Sequence, residues 1–245
     1  MFLLTIFLVG FAPFCMGVQA HAQDTQTSQN SDDSHIVVSV APNGPSAVFD
    51  TSMGPISCKF FEKQAPKTVA IFIGLAEGTK SWIDPYTQTK VLHKHYYDGT
   101  KFTRVVPEFI IQGGDNIGNG RGTAGFTFPD EIDPYLSFDT PGKLAMANSG
   151  KNTNGGQFFI TEQADTSLDQ RYTIFGQCDL SSVEVIKAIA RVKRDRNDKP
   201  IQSVVLKTVT IVRQGEPPPQ SAATASESTP ASPARSEKQA SKVQK

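Results

Sequence analysis

Apolar positions along this chain fall mostly into short runs broken by turn residues, which is the pattern of strands rather than helices. The densest example is residues 102–115, F-T-R-V-V-P-E-F-I-I-Q-G-G-D. Two apolar runs flank Pro107-Glu108, and Gly113-Gly114 closes the second. This predicts two antiparallel strands. Strand side chains alternate between faces. If Arg104 pairs with Gln112, then Ile110 and Gln112 share its face, with Phe109 beside them. An arginine among apolar side chains is either a structural group, paired or snorkelling, or a fixed donor at the rim of an apolar pocket.

Further strands are predicted over 45–51 and 56–61, a hairpin about Ser52-Met53-Gly54-Pro55, and over 143–147, 157–161 and 172–178. Residues 36–40 add a short one. The last covers 204–212, where Val209 and Ile211 alternate with Thr208 and Thr210. Pro66 at a first-turn position opens a helix through about Glu77, with Val69, Phe72, Ile73 and Ala76 on one face and Gly78 as the stop. Ser181-Ser182-Val183-Glu184 has the form of a capping box and opens a second helix, with Val183, Ile186, Ile189 and Ala190 apolar. Residues 79–99 have mixed polarity and read as a long surface insertion, and the glycine-rich 118–125 as a loop. Many strands, few helices and evenly spaced turns suggest one β-barrel or sandwich closed by two helices.

The ends have a different character. Residues 1–22 read as a signal peptide: an apolar run ends in Ala20-His21-Ala22, a small-x-small cleavage pattern, although no Lys or Arg precedes the run. The run is too short and interrupted for a membrane span. A lipid-anchored Cys15 is disfavoured by Pro13 and Phe14 before it. The chain is therefore expected to be exported, to the periplasm or the medium, with the mature protein starting near Gln23. Residues 23–35 form a polar flexible leader, 36–213 the folded domain, and 214–245 a Pro/Ser/Ala-rich disordered tail. Lys and Arg number 24, as do Asp and Glu, so the formal net charge is zero. That balance gives no electrostatic grip on nucleic acid or anionic lipid.

Several local motifs are weak candidates for chemistry. Gly120-x-Gly122-x-x-Gly125 matches a dinucleotide fingerprint by letters, but Phe126-Thr127-Phe128-Pro129 is no helix start, so no cofactor is expected. His93-Lys94-His95 lacks a third ligand, and no metal is expected. Asp130, Glu131 and Asp133 read as a solvated turn without calcium-loop spacing. Cys58 and Cys178 survive processing. Export would allow a disulfide between them, the alternative being two buried thiols. There is no G-x-S-x-G elbow, and no histidine is placed to act as a base. The chemistry must therefore need neither a covalent intermediate nor a histidine proton shuttle.

The 102–115 motif, together with L-A-M-A-N-S-G-K-N-T-N-G-G-Q-F-F-I over 144–160 and L-D-Q-R-Y-T-I-F-G over 168–176, resembles the cyclophilins, the cyclosporin-type peptidyl-prolyl cis-trans isomerases. The resemblance runs from about Pro45 to Arg213 in family order, including A-P-K-T-V at 65–69, and the longer 79–99 insertion is similar to that of bacterial members. It implies a mainly β fold: a closed eight-stranded antiparallel barrel capped by two α-helices, with a substrate groove on its outer face. It also implies that Arg104 is the catalytic arginine. Phe109, Ile110, Phe159 and Leu168 would wall a proline pocket, with Tyr172 at its edge. Gln112 and Asn148 would hold the peptide backbone, Gln157 would support the arginine side, and Ala147 would line the floor. No cofactor is implied. The expected partners are proline-containing peptides and folding exported proteins, and the expected state is a monomer.

Departures from the family pattern are specific. Ser167 stands where cyclosporin-sensitive eukaryotic members have tryptophan, which implies weak cyclosporin binding. Ile110 replaces a usual methionine, Thr103 a histidine, Ser149 an alanine and Ala124 a loop glycine. None removes the arginine or the aromatic wall. The rival reading is a proline-peptide-binding module or holdase in which isomerisation is incidental, and a third is a scaffold tethered by the tail.

Overall fold

The computed structural model describes residues 40–213 and Gly215. The signal-like segment, the leader, most of the 36–40 strand and nearly all of the tail lie outside the described residues. Among the described residues, ten strands and two α-helices follow in chain order. They are β1 (Ser46–Thr51), β2 (Gly54–Phe60), α1 (Pro66–Ala76), β3 (Trp82–Ile83), β4 (Lys90–Val91), β5 (Arg104–Val106), β6 (Ile110–Gly113), β7 (Lys143–Met146), β8 (Phe158–Thr161), β9 (Ile174–Cys178), α2 (Leu180–Ala190) and β10 (Leu206–Val212).

Eight strands form one antiparallel sheet in the order β10-β1-β2-β9-β7-β8-β6-β5. The expected closure is corrected here: the sheet is an open, curled half-barrel whose edges are β5 and β10. Hydrogen bonding explains the gap. β5 has only three residues, and its Val105 N–H donates not to a strand but to the Asp198 carbonyl in the loop before β10 (2.8 Å). Just before the two edge strands, an isolated bridge joins Lys101 and Val205. It is flanked by Phe102 N–H to Val204 O (3.0 Å) and Leu206 N–H to Thr100 O (2.8 Å).

Period-2 alternation fills the concave side. Ala47, Phe49 and Thr51 of β1 and Ile56, Cys58 and Phe60 of β2 point inward and are buried. Phe72 of α1 enters this core and lies 4.7 Å from the Tyr97 ring and 5.2 Å from Phe175, centroid to centroid. α2 covers β2 with Val183, Ile186, Ile189 and Ala190. Cys58 and Cys178 pair directly across β2 and β9 and are joined by a disulfide.

Three local expectations are corrected. The cap of α2 is Asp179, whose carboxylate accepts the Ser182 N–H (2.7 Å). The Ser182 hydroxyl instead accepts the Ser57 N–H of β2 (2.8 Å), so the capping-box letters serve a tertiary contact. The insertion at 79–99 is not merely superficial: Trp82, Tyr96 and Tyr97 are buried, and the Tyr97 hydroxyl donates to the Gly156 carbonyl (3.1 Å). The acidic turn is structural. Ala65 gives α1 no side-chain cap, and Glu131 supplies one by accepting the Lys67 and Thr68 N–H groups (3.1 and 2.7 Å).

Candidate active site

On the convex side of the sheet, a second apolar cluster contains Phe61, Ile110, Leu136, Phe138, Ala145, Phe159, Leu168 and Ile174. It arises from the same alternation as the core: Phe158 faces the concave side and its neighbour Phe159 the convex one. Phe159 stacks on Phe138 (5.8 Å) and meets Tyr172 edge-on (5.2 Å), so its ring is held on two sides.

The β5–β6 hairpin carries the polar part. Arg104 pairs with Gln112, Val105 with Ile111 and Val106 with Ile110. Val105 and Ile111 are fully buried in the core, which forces Arg104, Ile110 and Gln112 onto the convex face. The loop is Pro107-Glu108-Phe109, with Glu108 in the left-handed region at φ 61°. Buried Glu162, the residue after β8, accepts the Glu108 N–H (2.7 Å), donates its own N–H to the Phe109 carbonyl (2.8 Å) and pairs with Arg191. That fixes Phe109 beside Arg104, whose guanidinium carbon lies 5.7 Å from the ring centroid.

Nine of the residues named from the resemblance line one recess of about 180 Å³: Arg104, Phe109, Ile110, Gln112, Ala147, Asn148, Phe159, Leu168 and Tyr172. The tenth, Gln157, lies in an adjoining recess of about 120 Å³ that shares Gln112, Ala147 and Asn148 with the first. Gln157 accepts from the Gln112 amide (2.9 Å) and donates to the Gly122 carbonyl (2.8 Å), tying β6 to the glycine-rich loop. That loop turns on Asp115, whose carboxylate accepts the Ile117 and Asn119 N–H groups. Gly122 is needed there, since a Cβ would sit 1.7 Å from an Asp115 carboxylate oxygen. Leu168 ends a 3-10 turn, Thr166–Leu168, capped by Asp165. Ser167 is exposed on that turn, with its hydroxyl donating to Asp165 (2.6 Å).

Arg104 has a partner that the sequence reasoning missed. Its Nε lies 3.5 Å from Asp198 Oδ2, with both side chains partly exposed. Among the described residues Asp198 is its only ionic partner. The available signal was the run R-D-R-N-D-K-P at 194–200, a turn carrying two acids among cations. Of the other candidates, His95 Nδ1 sits 3.0 Å from Asp98 on the surface, away from the recess.

The recess thus joins an apolar slot to an arginine and two amides, on a half-barrel capped by two helices. Comparison with known proteins gives the class its name. Residues 47–211 match the model of the cyclophilin type peptidyl-prolyl cis-trans isomerase family. The chain is 46% identical over 166 residues to peptidyl-prolyl cis-trans isomerase A of Mycobacterium tuberculosis, covering 67% of this chain and 91% of that protein. It is 42% identical over 167 residues to peptidyl-prolyl cis-trans isomerase B of Streptomyces anulatus, covering 67% and 95%. A crystal structure of a cyclophilin type isomerase from Cryptosporidium parvum is similar at TM-score 0.61 and 31% identity, over 71% of this chain and 100% of that one. A second structure of that protein, in the presence of the dipeptide Ala-Pro, gives TM-score 0.58 and 30% identity over 70% and 99%. The chain belongs to the cyclophilin family and is a peptidyl-prolyl cis-trans isomerase.

Proposed function

We propose that this isomerase turns X–Pro bonds of exported proteins, with Arg104 as the donor to the prolyl nitrogen and the 180 Å³ recess as the seat of the proline ring. Rotation about a peptide bond is resisted by ~18–20 kcal/mol of lost resonance. X–Pro bonds hold both isomers and exchange in tens of seconds or more, slowly enough to limit folding. In the half-turned state the prolyl nitrogen becomes pyramidal and regains its lone pair. A guanidinium aimed at that lone pair is worth more there than in the planar ground state, which is what lowers a barrier. Arginine suits the task because it stays charged and presents rigid donors.

One observation carries this reading: Arg104 lines the recess, and its ion pair with Asp198 is made at Nε, on the stem side of the guanidinium (3.5 Å). Phe109, Ile110, Phe159 and Leu168 grip the ring, and Tyr172 closes the edge. Gln112 and Asn148 hold the flanking backbone, so that one side of the bond is clamped while the other turns. The relative crystallised in the presence of Ala-Pro supports an X–Pro unit as the docked group. Work outside the cytoplasm is favoured by the signal-like residues 1–22 and by the Cys58–Cys178 disulfide, since such bonds persist in oxidising compartments.

The test is Arg104→Ala in a protease-coupled assay on a Pro-containing peptide. The expected loss in kcat/KM is about 100-fold or more, with the melting temperature unchanged. A loss below about fivefold would remove Arg104 from the chemistry. If Arg104→Ala also rescues a Pro-limited client as well as wild type, the protein acts by binding.

A further inference from the structure

We propose that Asp198 is a positioning residue for Arg104, holding the guanidinium by Nε so that its terminal nitrogens address the bound prolyl nitrogen. The inference rests on the reading of Arg104 as the donor.

The loop that carries Asp198 is built to hold one carboxylate in one place. Arg194 bridges to Pro200 across it. Asp195 clamps it from within: its carboxylate accepts the Asn197 and Lys199 N–H groups (2.8 and 3.0 Å), its N–H donates to the Lys199 carbonyl (2.8 Å), and its carbonyl accepts the Asp198 N–H (3.2 Å). The Asp198 carbonyl then accepts the Val105 N–H (2.8 Å), which pins the loop to the residue next to Arg104. Asp198 itself adopts φ 62°, a conformation that side chains other than Asn and Asp seldom take. The result places its carboxylate beside Arg104 on the edge strand β5.

The two carboxylate oxygens are divided between two arginines. Oδ1 accepts from Arg194 Nε (3.1 Å), and Oδ2 faces Arg104 Nε (3.5 Å). Arg194 thus stops the carboxylate from swinging, and the carboxylate meets Arg104 at the nitrogen nearest its stem. A bidentate grip on the terminal nitrogens would bind more strongly but would occupy the donors the reaction needs. Here the anchor lies on the stem side and Phe109 lies against the guanidinium from another direction (5.7 Å). Two restraints therefore fix a long side chain whose own bonds rotate freely.

Magnitudes separate this role from a stabilising one. Arg104 and Asp198 side chains are 41% and 34% exposed, and an exposed pair adds little to fold stability. Misplacing a reacting group by about 1 Å can slow a reaction by about 100-fold. Loss of Asp198 should therefore show in turnover and hardly at all in melting.

The decisive measurement is a double-mutant cycle. Asp198→Asn keeps the shape and tolerates the positive φ, and Asp198→Gly tolerates it as well should the first variant fold poorly. Each is measured alone and with Arg104→Ala. The expected result for Asp198→Asn is a fall in kcat of about tenfold, KM within about twofold, and a melting temperature within about 2 °C of wild type. In the Arg104→Ala background the same substitution should change nothing, because the group it positions is gone. An equal fall in both backgrounds would mark Asp198 as merely structural, and wild-type kcat in Asp198→Asn would overturn the proposal while leaving Arg104 as donor. Wild-type kcat in Arg104→Ala alone would refute the donor reading, and this inference with it.

Discussion

Cys58 and Cys178 are 120 residues apart in sequence and close the β2–β9 pair with a covalent bond. In the chain-entropy picture, a cross-link spanning roughly 100 residues stabilises by about 4.7 kcal/mol, and removal of native disulfides from small domains costs about 2–5 kcal/mol. Both cysteines are buried, so Cys58→Ala/Cys178→Ala also removes a little packing. The expected loss for the double variant is about 3–5 kcal/mol relative to the oxidised protein. For a domain of this size each kcal/mol moves the midpoint by about 2–4 °C, so melting should fall by roughly 10–15 °C. Domains commonly have about 5–15 kcal/mol in hand, so the variant should still be folded at 25 °C. The polar site residues stand on β5, β6 and the loops, not on the stapled β2. Isomerase kcat at 25 °C should then match wild type within about twofold. Thermal and urea unfolding of oxidised wild type and the double variant, with activity alongside, make the test. A midpoint shift below about 3 °C would refute the cross-link as a main stabiliser, and lost activity in a folded variant would refute the independence of site and staple.

Asp179 offers a pH-dependent counterpart. Desolvation raises its pKa, but hydrogen bonds from Ser182 and Ser181 outweigh it, and the carboxyl lies below its ordinary value. A lowered folded-state pKa means stability that is present above the unfolded pKa and lost as pH falls through the folded one. Asp179→Ala should cost about 1 kcal/mol at pH 7, and urea midpoints of wild type and variant should converge as pH falls below the ordinary carboxylate range; a gap constant with pH would contradict the cap. At Ser167, the short exposed side chain offers cyclosporin no indole, so wild type should bind it weakly. Ser167→Trp should tighten binding by about tenfold in a fluorescence titration, and nanomolar inhibition of wild type would contradict the assignment.

β1 and β2 were legible because each buries one face. Ala47, Phe49 and Thr51 alternate along β1, as do Ile56, Cys58 and Phe60 along β2. What was not legible depends on partners distant in sequence. Closure failed at β5, where a loop almost a hundred residues later takes the Val105 N–H. Glu131 looked solvated because the helix it caps begins 65 residues earlier, at Pro66. Ser181 and Ser182 had the letters of a cap, but two hydroxyls can bond elsewhere, and Asp179, a stronger acceptor, was nearer the turn. Trp82, Tyr96 and Tyr97 were hidden among polar neighbours, and their rings meet only once the insertion folds back on itself.

The site was legible for a narrower reason. Register in a hairpin is a binary choice, since a slip of one residue exchanges the faces of every side chain. In β5 the alternatives were Arg104 outward with Val105 inward, or the reverse. The reverse would bury a guanidinium in an aromatic core, where an unpaired charge is costly, and expose two β-branched residues. The sequence therefore determined where Arg104 stands from the residue types beside it. What surrounds its guanidinium is a separate matter: Asp198 and Phe109 meet it through contacts that no local pattern encodes. Placement came from alternation, and the partners came from the tertiary fold. In the proposed mechanism both are needed, because only a donor held at the rim of the apolar slot would separate a catalyst of X–Pro rotation from a groove that binds and does nothing more.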